Sequence, residues 1–272
     1  MIEMKWLYEI ILIIYGFSLI GYFIDFIHNS RKANRIAFWL LSMVWFIQTV
    51  FFVYEIIVQK SFPVATVVDS LLMYSWVLIT FSLIINKLFP VRFIGMFINI
   101  FGFFILLMYV AASAANRFPS QAIAFVHEIL IAHITLAIIS YGFFTLAFLL
   151  SIMYLIQYRF LKKKKGLKWM WRLGDLGVLD NYSFRAVSAG VPLLLIAIIL
   201  GVVWANVSTS AFFWIDAKTI GSIIVLIVYT VYLILRIIFG YKGKFLSSFN
   251  TVAFLILLIN FFLFSSLSNF HF

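Results

Sequence analysis

Residues 186–206 read Ala-Val-Ser-Ala-Gly-Val-Pro-Leu-Leu-Leu-Ile-Ala-Ile-Ile-Leu-Gly-Val-Val-Trp-Ala-Asn, with no charged side chain anywhere in the run. A helix rises ~1.5 Å per residue, so about 20 such residues cross a ~30 Å hydrocarbon core. In lipid, every backbone polar group has to be satisfied inside the segment itself, which selects helix. Comparable stretches lie on both sides of this one. The spacing predicts spans at Trp6–Ile27, Ile36–Val58, Val64–Asn86, Phe93–Ala112, Ala122–Tyr158, Ala186–Asn206, Ala217–Ile238 and Phe249–Ser268. The fifth is too long for a simple crossing. Its first turns are expected along the interface, or its end beyond the membrane. The predicted fold class is an all-α integral membrane protein, with residues 1–272 forming a single polytopic domain of about eight transmembrane helices.

Composition agrees with this reading. Mean hydropathy is +1.15, 65% of residues are hydrophobic and 11% are charged. Strand-like alternation is absent, which argues against a β-barrel. The first apolar run lacks a basic leader and a small-residue cleavage site, so it reads as a helix rather than a cleaved signal. The chain has no cysteine, which excludes disulfides, thiolate metal sites and covalent haem attachment. A Gly-rich phosphate loop, an ordered Ser/His/Asp set and paired metal-ligand spacing are also missing. No enzymatic activity is expected.

The net charge of +11 is explained by topology. Arg31, Lys32, Arg35, Lys87, Arg92, Arg159, Lys162 to Lys165, Lys168, Arg172, Arg185, Arg236, Lys242 and Lys244 fall in alternate loops, on one side. Only Lys5, Lys60, Arg117 and Lys218 fall on the other. The positive-inside rule then predicts both termini outside a bacterial cytoplasmic membrane and the basic loops inside. Anionic lipid headgroups are the expected partners of those loops, and nucleic acid is not. The basic cytoplasmic loop 159–185, with Trp169 and Trp171, reads either as an interfacial stretch or as a docking surface for a cytoplasmic protein.

Beyond the opening run the chain continues through Trp204-Ala205-Asn206 to Phe212-Phe213-Trp214-Ile215-Asp216. Aromatic faces beside one acid in an outward loop suit a flat ligand. Trp6, Trp39 and Trp45, by contrast, read as interfacial anchors. His133 lies inside the fifth span, where an ionisable side chain is costly and therefore a candidate for function. His127 stands on a different face of that helix, and His271 is the penultimate residue, outside. A flat, largely apolar metallo-cofactor such as haem fits this set. Imidazoles supply axial ligands, indoles cover the ring, and Lys218, Asn206 or an indole N–H meets its carboxylates. Glu55, Asp69 and Glu128 lie near outer span ends, where either partial solvation or a proton relay accounts for them.

Several ordered blocks resemble the cytochrome c assembly superfamily of haem-handling membrane proteins, the CcsA/CcmC/CcmF group. They are Leu179-Asp-Asn-Tyr-Ser-Phe-Arg185, Gly190-Val-Pro192-Leu-Leu, Gly201-Val-Val-Trp204-Ala-Asn206, Phe213-Trp214-Ile-Asp216-Ala-Lys218 and Tyr229-Thr-Val-Tyr232-Leu-Ile-Leu-Arg236. His133, followed by Ser140-Tyr141, is similar to the first outward histidine of that family. The resemblance implies that helices 186–238 flank a Trp-rich haem-binding segment holding Trp204, Trp214 and Asp216, with His133 as an iron ligand. Two departures stand out. The Gly-Trp pair usual between the outer tryptophans is replaced by Ser, Thr, Ala and Phe. With Asn260 aligned on the family asparagine, Leu267 occupies the position of the second histidine, and His271, about one turn later, is in position to substitute for it.

The small size and thinned segment look most like the compact Gram-positive branch of that superfamily. Its members are associated with lowering the abundance of glutamyl-tRNA reductase. The resemblance thus implies a regulator of haem synthesis that binds haem non-covalently, with loop 159–185 as the contact for the reductase. The alternatives are a haem delivery or export component of c-type cytochrome maturation, and a small-molecule transporter.

Overall fold

The computed structural model describes residues 2–58, 67–88, 92–114, 128–164, 174–208 and 217–264. The helices are α1 (Ile2–His28), α2 (Arg31–Val58), α3 (Val67–Leu88), α4 (Arg92–Ala114), α5 (Glu128–Lys163), α6 (Leu176–Ser208), α7 (Ala217–Ile237) and α8 (Lys244–Ile259). A π turn, Asn260–Phe264, extends α8. Among the described residues 8 helices are long and apolar enough to cross a membrane, and no strand occurs. The protein is a multi-pass, all-helical membrane protein. Its outward-facing side chains, such as Ile13, Phe17, Ile20, Trp39 and Phe46, are apolar and exposed, as a lipid-facing surface requires.

Contacts group the chain into two compact units, Met1–Val126 and His127–Phe272. In the first, α1 and α2 form a hairpin joined by Asn29 and Ser30, with Asn29 in the left-handed region at φ 52°. The helices approach closely where Gly21 faces Ala37 and where Ser18 Oγ donates to the Ala37 carbonyl at 2.9 Å. α2 and α3 are joined by two reciprocal bonds. Trp45 Nε1 donates to Thr80 Oγ1 at 2.8 Å, Trp76 Nε1 to Thr49 Oγ1 at 2.9 Å, and the two indoles stack 6.1 Å apart. Trp45 is therefore a helix–helix link rather than an interfacial anchor. Trp6 and Trp39 remain exposed.

In the second unit α5 lies along α6, and α8 packs on α5 through Phe148 and Phe254, whose rings stack at 4.2 Å. Phe144 of α5 stacks on Tyr229 of α7 at 3.8 Å. Two boundaries differ from those expected. α5 runs unbroken to Lys163, so its end extends well beyond one membrane thickness. α6 begins at Leu176, where Asp175 Oδ1 accepts the backbone N–H of Gly177 at 2.6 Å and caps the first turn. The stretch Leu176–Arg185 is therefore helix, not loop. Its polar residues looked like loop residues because their partners lie on α5, α7 and α8.

Candidate functional site

α5 and α6 meet through two glycine notches. At the first, Ser140 Oγ donates to the Gly190 carbonyl at 2.9 Å, and a Cβ on Gly190 would lie 2.7 Å from the Phe144 ring. At the second, His133 stands against Gly201, where a Cβ would fall 2.7 Å from ring Cε1 and 2.8 Å from Nδ1. Small residues at such positions let helices approach closely in a membrane. His133 Nδ1 lies 2.6 Å from the Ala197 carbonyl oxygen. A carbonyl only accepts, so Nδ1 carries the proton and Nε2 is the lone-pair nitrogen of the ring. Orientation of an imidazole by a backbone carbonyl is the usual arrangement behind a metal-ligating histidine.

Gly201→Val should displace the ring from this notch, and a haem taken at the site expected from the sequence should then bind about 10–100-fold more weakly. Titration of purified protein with haem measures this, and an unaltered affinity would show that the notch does not position His133.

About two turns along the His133 face of α5 lies a polar cluster. Asn260 Nδ2 donates to Tyr141 Oη at 3.1 Å and to Ser222 Oγ at 3.4 Å. Lys218 Nζ donates to the Asn260 carbonyl at 3.3 Å and lies 5.6 Å from the centre of the Phe261 ring. Phe261 in turn meets Tyr141 edge to face at 5.9 Å. Asn260 is fully buried, and its Oδ1 has no partner among the described residues. The π turn begins at this residue, in keeping with the tendency of such turns to mark functional positions.

A second cluster occupies the other end of the unit. Arg236 of α7 pairs with Asp180 of α6 at 2.7 Å, donates to Asn181 Oδ1 at 3.1 Å and lies over the Phe184 ring. Asp180 Oδ1 also accepts the backbone N–H of Gly243 at 3.0 Å, just before α8. Gly243 has φ 71°, and a Cβ there would lie 2.7 Å from Tyr154 Oη, so both conformation and space call for glycine. Above the ion pair, Asn250 Nδ2 donates to Ser151 Oγ at 2.9 Å, and Ser183 joins the same group. The block Leu179–Arg185 therefore ties α6 to α5, α7 and α8.

Of the expected site residues, His133 is placed against α6, and Trp204 lies one turn beyond Gly201 on α6 itself rather than in a loop. Asn206 falls in the last turn of α6. Lys218 opens α7 and reaches the end of α8. Trp214, Asp216, His127 and His271, with residues 165–173 of the expected loop 159–185, lie outside the described residues. Sequence reasoning gave no role to Ser222 or to the Asp180–Arg236 pair. The available signal was Arg236 within the expected span Ala217–Ile238, where a charge normally finds a counter-charge; Asp180 fell in the expected loop 159–185.

The family description "Cytochrome C assembly protein" matches residues 64–271. Protein HemX of Bacillus subtilis (strain 168) is 45% identical over 260 residues, covering 96% of this chain and 94% of that protein. The chain belongs to the cytochrome c assembly family, in its HemX branch. HemX of Brevibacillus brevis is 38% identical over 273 residues, covering 100% of this chain and 99% of that protein. The cytochrome c biogenesis protein CcsA of Mesostigma viride is 28% identical over 243 residues, covering 78% of this chain and 73% of its own. No solved structure matches. The family match takes in His133, Gly201, Trp204, Lys218 and Asn260, while α1 and α2 precede it. HemX membership makes this a haem-related membrane protein.

Proposed function

We propose that this chain binds haem non-covalently through His133, and that it regulates haem synthesis by lowering the abundance of glutamyl-tRNA reductase. The observation that carries the haem reading is the oriented imidazole: Nδ1 held by Ala197, Gly201 making room for the ring, and Nε2 bearing the lone pair. A haem there contributes an iron centre that takes nitrogen ligands. His133 supplies one, and His271 is the candidate for the other. The family resemblance assigns Trp204 and Trp214 to cover the ring, and Asn206 is a candidate partner for its carboxylates. Lys218 and Asp216 are the charged groups nearest its polar edge in sequence. The chain works by binding and release and makes or breaks no substrate bond.

Charge placement supports a bacterial cytoplasmic membrane location with the Trp204–Asp216 segment outside. The basic 159–185 region then faces the cytoplasm, where it meets anionic lipids and the reductase. Two measurements test this reading. Deleting the gene should raise glutamyl-tRNA reductase levels on immunoblots, and unchanged levels would remove the regulatory part. Acid–acetone extraction of haem-loaded protein should take all colour into the organic phase, since the chain has no cysteine to form a thioether. Colour retained on the polypeptide would contradict non-covalent binding.

A further inference from the structure

The core of the first unit carries a polar seam. α1 repeats Tyr8, Tyr15 and Tyr22 at heptad spacing, and Ile11, Ser18 and Asp25 at the same spacing beside them, all buried. Heptad spacing sets these side chains along one line of the helix. Each tyrosine meets a group on another helix. The Tyr8 ring lies edge to face with Tyr109 of α4 at 4.9 Å. Tyr15 Oη donates to Asn99 Oδ1 of α4 at 3.3 Å, and Tyr22 Oη accepts from Asn86 Nδ2 of α3 at 3.0 Å. A carboxylate stands at each end. Asp25 Oδ2 accepts from Asn34 at 2.8 Å. At the other end, Glu55 lies in the last turn of α2 and Asp69 in the first turn of α3, with Tyr8 near the start of α1 and Tyr109 near the end of α4.

Four atoms along this seam have no hydrogen-bond partner among the described residues: Asp25 Oδ1, Asn99 Nδ2, and both amide atoms of Gln48. Their residues are 3%, 0% and 1% exposed, respectively. They are spread along its length. Asp25 closes one end, Asn99 adjoins Tyr15, and Gln48 lies one turn from Phe51, whose ring meets Tyr8 at 5.1 Å. A polar atom inside a membrane needs a partner, and buried water supplies two to four hydrogen bonds where the surroundings are polar. Successive tyrosines of the seam are about 10 Å apart along the axis, too far for direct bonding. Ser18 falls between Tyr15 and Tyr22 on α1, and its Oγ donates to the Ala37 carbonyl.

We propose that the first unit holds a file of ordered waters and relays protons between Asp25 and the Glu55–Asp69 end. Each tyrosine or serine hydroxyl and each water accepts one proton and passes one on, so the file undergoes no net change. One proton taken up by a carboxylate at one end appears as one released at the other. Gln48 and Asn99 orient waters and do not themselves carry the proton. The relay lies wholly within residues 1–126 and is independent of haem.

The test uses the full chain in phosphatidylglycerol–phosphatidylcholine vesicles enclosing a pH-sensitive dye, with a valinomycin-set potassium potential as driving force. Wild-type protein should admit protons faster than protein-free vesicles. Gln48→Leu and Tyr15→Phe should return the rate to that of protein-free vesicles. Tyr15→Phe keeps the ring packing and deletes only the hydroxyl, and single-peak gel filtration of each variant establishes folding. Wild-type flux equal to that of protein-free vesicles would overturn the proposal, as would folded variants that conduct like the wild type.

Discussion

Asp180→Ala is expected to cost the folded protein about 3–5 kcal/mol, because it leaves the Arg236 guanidinium buried without its counter-charge. The side chains of the pair are only 6% and 10% exposed, so solvent screens little of this. The same substitution removes the acceptor of the Gly243 N–H, which fixes the turn entering α8. Arg236→Met should be equally damaging in reverse, since it strands the carboxylate and deletes the bond to Asn181. The double variant Asp180→Leu/Arg236→Met should regain most of the loss, because an apolar pair of similar volume carries no buried charge. It should still fall short of the wild type by about 1 kcal/mol for each backbone or amide bond not replaced. Thermal unfolding in detergent and steady-state abundance in membranes measure these effects. Wild-type melting of Asp180→Ala would show that the ion pair is not what holds α6, α7 and α8 together at this end.

How much of this was legible in the sequence depended on the range of the interaction. The spans follow from local runs of apolar residues, and each expected span overlaps the core of an observed helix. Their ends did not follow, because polar residues at a helix end look like loop residues until their partners are known. Asp180, Asn181 and Ser183 show this: their partners are Arg236, Gly243, Ser151 and Asn250, all distant in sequence. Trp45 is similar, since an indole near a span end usually anchors at the interface, and only Thr80 on α3 gives it another role. Of the site, His133 was legible because an intramembrane histidine is rare. Its orientation was not, since the Ala197 carbonyl is a backbone group 64 positions away and carries no residue-type signal. The family resemblance pointed to Gly201 and Trp204 as a block. The notch explains the glycine, and α6 places the tryptophan one turn beyond it.

The central claim is that His133 holds haem iron, and loss of that ligand is the second large effect expected. An axial imidazole sets the position and intensity of the main haem absorbance band, and little else in the described part of the site can substitute for it. Substitution to alanine removes the ligand and empties the space against Gly201. The helices should survive, because the α5–α6 contact is also made at Gly190 through Ser140 and Phe144. Added imidazole should enter the vacated space and restore part of the band, which separates ligand loss from misfolding. The decisive measurement is the absorbance spectrum of purified wild type and His133→Ala after titration with haem. The account predicts a ligated band in the wild type, its loss in His133→Ala and partial return with imidazole. Identical spectra for wild type and His133→Ala would contradict it.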